Sequence, residues 1–208
     1  LEGVRQNKGL EVINADIKEL DVLIKAMSQA EVVYHFAANP DIAKAVVQPD
    51  IDFWEGSYLT NNILEAMRIN NVKRIHYASG SGVYGDTGTL EVGEDYAPLA
   101  PISTYGASKL SCEALISAYC HMFEMTACVF RFANVVGPRQ THGVGLDFVR
   151  KLIKDPRQLS ILGDGRQSKS YIYIDDAIGA MRLLQNYTSG PFSCYNVATS
   201  DYLTVKEI

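Results

Sequence analysis

Short runs rich in β-branched and aromatic residues alternate along this chain with stretches of helical periodicity, and that alternation leaves few folds open. In order they are EVIN (11–14), a helix over 18–28, EVVYHF (31–36), a helical stretch over 52–70, RIHYAS (74–79), a helix over 105–123 and TACVFRF (126–132). Strands joined through crossover helices pair in parallel, so the expected fold class is α/β with a doubly wound parallel sheet. Residues 31–36, 74–79 and 126–132 are expected as adjacent or near-adjacent strands of that sheet. Ligands of such sheets bind at the carboxyl ends of the strands. After Pro138 the texture changes: a helix near 145–154, strands near 159–162 and 170–174, a helix near 175–186, a strand near 193–197, and LTVKEI, which reads as a helix starting at Thr204.

Composition narrows the partners. A chain of 208 residues with 47% hydrophobic residues can bury a substantial core, and a net charge of −5 offers no basic field to a nucleic acid. Cys112, Cys120, Cys128 and Cys194 form no CxxC pair and have no histidines at zinc-finger spacing, so they read as reduced thiols of a cytoplasmic protein rather than metal ligands. No apolar run approaches the roughly 18 residues of a membrane span, and LEGVRQNKG is no signal peptide. The chain begins without Met and in mid-pattern, as a fragment would.

GSGVYG (80–85) satisfies the dinucleotide pattern G-x-G-x-x-G and follows a strand. The pattern binds pyrophosphate only when its glycines open a helix, whose first N–H groups hold the anion. Gly85 is followed instead by DTGTLEVGEDYAPLAP, which is turn and loop chemistry, so no phosphate loop is expected there. YGASK places Tyr105 and Lys109 one helical turn apart on one face. A tyrosine titrates near pH 10, and a nearby cation favours its phenolate by about 1–3 pH units, so the pair can take a proton from a hydroxyl. Spacing alone is weak, because Tyr202 and Lys206 share it. Tyr105 differs in opening a long helix downstream of a strand that ends in a serine–glycine turn.

HFAAN (35–39), YASGSGVYGD (77–86), PISTYGASK (101–109), RFANVVGPR (131–139) and LGDGRQSKSYIYIDD (162–176) occur in one register along nearly the whole chain. In that order and spacing the chain resembles the extended short-chain dehydrogenase/reductase family, the NAD-dependent epimerases and dehydratases, and within it the UDP-glucose 4-epimerase branch. The resemblance implies a Rossmann-like NAD-binding fold whose first βα unit lies before Leu1. It implies an N-terminally incomplete NAD-binding domain over 1–135 and part of a smaller substrate lobe, interleaved with the sheet, over 136–208.

By position the resemblance puts Asp16 and Ile17 beside the adenine of NAD, and Phe36, Ala37 and Ala38 along the cofactor. Asp16 reads equally as a helix cap, and the alanines as tight packing. Tyr105 matches the family's base and Lys109 its helper, which also bonds the nicotinamide ribose. Asn134 and Lys169 match residues that bind the diphosphate of the substrate; a turn asparagine and a solvated lysine are the plain alternatives. His142 reads as a loop residue, and Asp175 and Asp176 as acids at a helix start. A homodimer built on the helices near 52–70 and 105–123 follows by the same resemblance, with Leu110, Leu115, Ile116, Tyr119 and Phe123 as its apolar candidates and core packing as their alternative.

Two departures from the family pattern stand out. Gly80 lies where the family carries a hydroxyl residue that bonds the substrate, and Gly56 where it carries an asparagine. The hydroxyl role then falls to Ser79 or Ser81. Ser81 is favoured, on the expectation that the strand breaks at Gly80 and swings Ser81 towards Tyr105. The expected activity is inversion of C4 of a UDP-sugar of the UDP-glucose/UDP-galactose type, through a 4-keto intermediate. A non-catalytic or truncated paralogue is the main alternative. A dehydratase or decarboxylase of the same family needs acidic residues where this chain has Ser81 and Gly82.

Overall fold

The computed structural model describes residues 3–4, 6–40, 42–161, 163–187 and 189–208. In chain order its strands are β1 (Val32–His35), β2 (Arg74–Gly80), β3 (Thr126–Phe132), β4 (Asn134–Val136), β5 (Ser168–Lys169), β6 (Tyr171–Tyr173), β7 (Phe192–Val197) and β8 (Leu203–Thr204). Its α-helices are α1 (Leu20–Ala26), α2 (Leu59–Ile69), α3 (Thr104–Phe123), α4 (Val144–Lys154) and α5 (Ile174–Leu184). The main sheet has the order β1-β2-β3-β7, parallel throughout. The three runs expected as neighbours are neighbours: Val32 pairs with Arg74, and Arg74 with Thr126.

Both faces of this sheet are covered, which is why its central strand TACVFRF reads as almost continuously apolar. Ala127 and Val129 of β3 join Ile75 and Tyr77 of β2 under α1, α2 and α3, in a core that includes Leu64, Met67 and Ile116. Cys128 and Phe130 face the other way, with Ile172, Ala177 of α5 and Val197 of β7. Helices on both faces make the sheet doubly wound. Because β7 and α5 come from beyond residue 136, the last third of the chain is interleaved with the main sheet. The small pairs β4–β6 and β5–β8 lie beside it.

Several local expectations change. Residues 11–14 are exposed and form no strand: a β-rich run becomes a strand only where a neighbour completes its ladder, and among the described residues none does. Residues 159–161 are likewise not a strand, and Leu162 lies outside the described residues. The segment at Thr204 is the end of β8 followed by one turn, in which the Glu207 carboxylate accepts from Thr204 N and Oγ1 at 2.8 and 2.7 Å. Both bonds run from Thr204 to Glu207, one half of a capping box, and the hydrogen bond from Ile208 N to Thr204 O is the single i→i+4 bond of this turn.

The stretch over 52–70 is not one α-helix. It opens with a π-helical turn, Phe53–Tyr58, before α2. Gly56 sits in that turn, so close to α3 that a Cβ on it would come 2.5 Å from Ser108 Oγ. The glycine thus suits a close approach of this turn to α3, where a side chain would make Ser108 shift. Of the apolar residues named for a dimer, Ile116 is fully buried in the core, and Leu115, Tyr119 and Phe123 pack against it. Core packing accounts for that spacing on α3.

Candidate active site

The start of α3 is built to a tight tolerance. Ser103 caps it, its Oγ accepting from Gly106 N at 3.0 Å. Gly106 then lies against the 3-10 turn Ser81–Tyr84, where a Cβ would meet Gly82 O at 2.5 Å. Between these contacts stands Tyr105, beside the end of β2. One turn on, Lys109 is 4% exposed and reaches the same strand, its Nζ donating to Ala78 O at 2.6 Å. The ammonium lies 4.9 Å from the ring centre of Tyr77 and 5.6 Å from that of Tyr105. The structure thus brings the expected pair together, at the carboxyl end of a central strand.

The electrostatics differ from the expectation. Burial, and then the charge of Asp52, push the Tyr105 phenol above its ordinary pKa. Lys109 lies over the ring face and bonds the Ala78 carbonyl, with no hydrogen bond to the phenol oxygen among the described residues. Burial brings Lys109 itself down to about 8, although Cys112 and Glu113 act in the opposite sense. His35, on β1 near Lys109, is brought down to about 3 by burial and by that lysine's charge. Its Nε2 shares a hydrogen bond of 2.8 Å with Thr60 Oγ1, and its Nδ1 has no partner.

The serine turn is also built otherwise. Gly80 is extended (φ −160°, ψ 162°) and still paired with Phe132, so β2 does not break there and uses no positive φ. Ser79 is buried, its Oγ donating to Glu113 Oε1 at 2.5 Å. Its hydroxyl is thus turned to the Glu113 carboxylate in the core. Ser81 is exposed and opens the 3-10 turn that abuts Gly106. The same turn confirms that GSGVYG leads into no long helix.

Under this turn lies a buried ion pair that the motifs did not single out. Arg131 Nη2 and Nε donate to Glu113 Oε2 and Oε1 at 2.7 and 3.1 Å, and Nη1 donates to the Tyr84 hydroxyl at 2.9 Å. Tyr84 in turn donates to Asn196 Oδ1. An arginine inside the apolar run TACVFRF and a glutamate inside SCEALISAY were the available signals. Asp52, also missed, had none: it lies outside every motif.

The chain as a whole is similar to known proteins. The sequence model of the NAD dependent epimerase/dehydratase family matches residues 2–198. The chain belongs to this family. A putative UDP-glucose 4-epimerase of Methanocaldococcus jannaschii is 33% identical over 97% of the chain and 67% of its own length. A crystal structure of a UDP-galactose 4-epimerase matches with a TM-score of 0.85 and 35% identity, over 96% of this chain and 66% of that one. The UDP-glucose 4-epimerase of Thermus thermophilus, solved with NAD, matches with a TM-score of 0.84 and 28% identity, over 96% and 67%. The chain spans about two thirds of the length of these relatives.

The donor set fits one end of the family's cofactor. Lys109 keeps two N–H donors beyond the one given to Ala78, without a carboxylate partner, and the Tyr105 hydroxyl has no partner among the described residues. A buried ammonium and a partly buried hydroxyl suit a ribose diol. Phe36 is 56% exposed just past β1, and Ala37 and Ala38 are partly buried beside it. Asp16 is exposed and closes a local turn, its Oδ1 accepting from Lys18 N at 2.9 Å. Ile17 is partly buried and packs against the core. Asn134 donates through Nδ2 to Ser170 O at 3.0 Å, and Lys169 is exposed on β5. His142 is exposed, bonded to Thr141, and Asp175 and Asp176 stand in the first turn of α5 without capping it.

Proposed function

We propose that this chain carries the catalytic pair of an epimerase that inverts C4 of a UDP-sugar through a 4-keto intermediate. The observation that supports it most is the pairing of Tyr105 and Lys109 at the end of β2 with unsatisfied donors, in a chain whose relatives include proteins named UDP-glucose 4-epimerase. Tyr105 takes the proton of the sugar 4-hydroxyl as the keto group forms, and returns it to the same oxygen once the keto intermediate has turned over in the pocket. Lys109 holds the ribose diol. Bound NAD supplies the hydride acceptor and, when oxidised, a positive charge that favours the phenolate. Asp16, Ile17, Phe36, Ala37 and Ala38 line the cofactor, while Asn134 and Lys169 hold the diphosphate from the lobe formed by residues 136–208.

The reading extends to a cytoplasmic homodimer. Phe53, Trp54 and Tyr58, stacked edge to face at 5.0 and 5.2 Å and all exposed, are the apolar surface it offers. A catalytically silent binding paralogue is the second reading, favoured by Gly80 and by the commitment of Ser79 to Glu113. Ser81 decides between them. In a coupled assay of the intact protein with NAD and UDP-galactose, Ser81→Ala is expected to lower kcat by about tenfold or more, the value of a hydrogen bond made in the transition state. Ser79→Ala is expected to lower the urea midpoint more than kcat. No UDP-glucose from the wild-type protein would favour the silent paralogue.

A further inference from the structure

Asp52 is 2% exposed, and no lysine, arginine or histidine pairs with it among the described residues. A buried carboxylate without a cation is retained only where hydrogen bonds replace its water. Here two do. Asn39 Nδ2 donates to Oδ1 at 2.8 Å and Thr104 Oγ1 donates to Oδ2 at 2.7 Å. Asn39 follows the end of β1, beyond Phe36, Ala37 and Ala38; Thr104 is the first residue of α3 and precedes Tyr105. Asp52 itself enters the π-helical turn that packs Gly56 on α3. One carboxylate therefore joins the strand tip proposed for the cofactor to the helix turn that carries the proposed base.

We propose that Asp52 is a positioning residue for Tyr105: its carboxylate ties the first turn of α3 to the tip of β1 and sits on the Tyr105 side of that turn. The assignment rests on the reading of Tyr105 as the acid–base group. The ionisable groups facing Tyr105 come from three directions. Lys109 lies over its ring from the same helix, Tyr77 faces it from β2, and Asp52 from the segment before α2. Of the charges, only that of Asp52 adds to burial in raising the phenol. The tie and the charge are thus separable roles of one side chain.

Two variants separate them. Asp52→Asn keeps the shape and can keep both hydrogen bonds while removing the charge. With 13Cζ-labelled tyrosine in the 208-residue chain, and the resonance assigned through Tyr105→Phe, the Tyr105 midpoint is expected to fall by about one pH unit. Thr104→Val keeps the charge but cuts the tie. Amide hydrogen exchange at Gly106 and Ala107 is then expected to quicken about tenfold, with the Tyr105 midpoint within a few tenths of the parent, as suits one lost hydrogen bond to a charged acceptor. An unchanged midpoint in Asp52→Asn, or unchanged exchange in Thr104→Val, would overturn the assignment. Full turnover in Tyr105→Phe would remove the acid–base reading without altering either readout, so the two failures are distinguishable.

Discussion

Tyr105→Phe is expected to lower turnover of the intact protein by about 10²–10⁴-fold, the usual contribution of a positioned acid–base group. The fold should be indifferent to it, because the hydroxyl makes no hydrogen bond within the described protein, and the ring contacts survive in phenylalanine. Tyr202→Phe is the matched control. Tyr202 shares the spacing to a lysine but is 64% exposed just before β8, so its loss should leave kcat unchanged. Coupled kinetics and urea midpoints of both variants check the expectation. Equal kinetic effects would mean that the spacing, and not the site, had guided the choice.

The largest expected effect on stability comes from Glu113→Ala. Arg131 and Glu113 have side chains 6% and 5% exposed, and removing the carboxylate strands a guanidinium and the Ser79 hydroxyl in the core. Breaking such a pair from one side costs about 3–5 kcal/mol. The double variant Glu113→Leu with Arg131→Met should be less damaging than Glu113→Ala alone, since two apolar side chains leave no buried charge behind. Urea unfolding of the three proteins reads this directly. A single variant as stable as the wild type would show that the network carries little of the fold. The network also reaches the site, because it anchors Ser79 and Tyr84 on either side of the serine turn.

The sheet was legible because its strands are strongly patterned and their crossovers long. RIHYAS and TACVFRF alternate or run apolar over 6 and 7 residues, and each is followed or preceded by a capped helix. EVIN carried the same local signal and failed, since strand formation depends on a neighbour that local sequence does not describe. Tyr105 and Lys109 were legible for the opposite reason: helical geometry alone brings residues four apart together. The state of the tyrosine was not. Its proton affinity depends on Asp52, some fifty residues away in sequence, and on where the lysine points. The partner of the Ser79 hydroxyl was not legible either, because it is Glu113, a residue of the helix behind the strand. Long-range polar contacts, more than the backbone, are what the linear pattern left open.

In the proposed reaction hydride leaves and returns at C4 of one sugar, while Tyr105 carries the proton of its 4-hydroxyl. That course is tested most directly by giving the intact protein, loaded with NAD, UDP-galactose bearing deuterium at C4, and following the products by NMR. The predicted result is UDP-glucose that keeps its deuterium at C4, formed by the wild-type protein and slowed by orders of magnitude in Tyr105→Phe. Loss of the label to solvent, a dehydrated or decarboxylated product, or no turnover at all would contradict it.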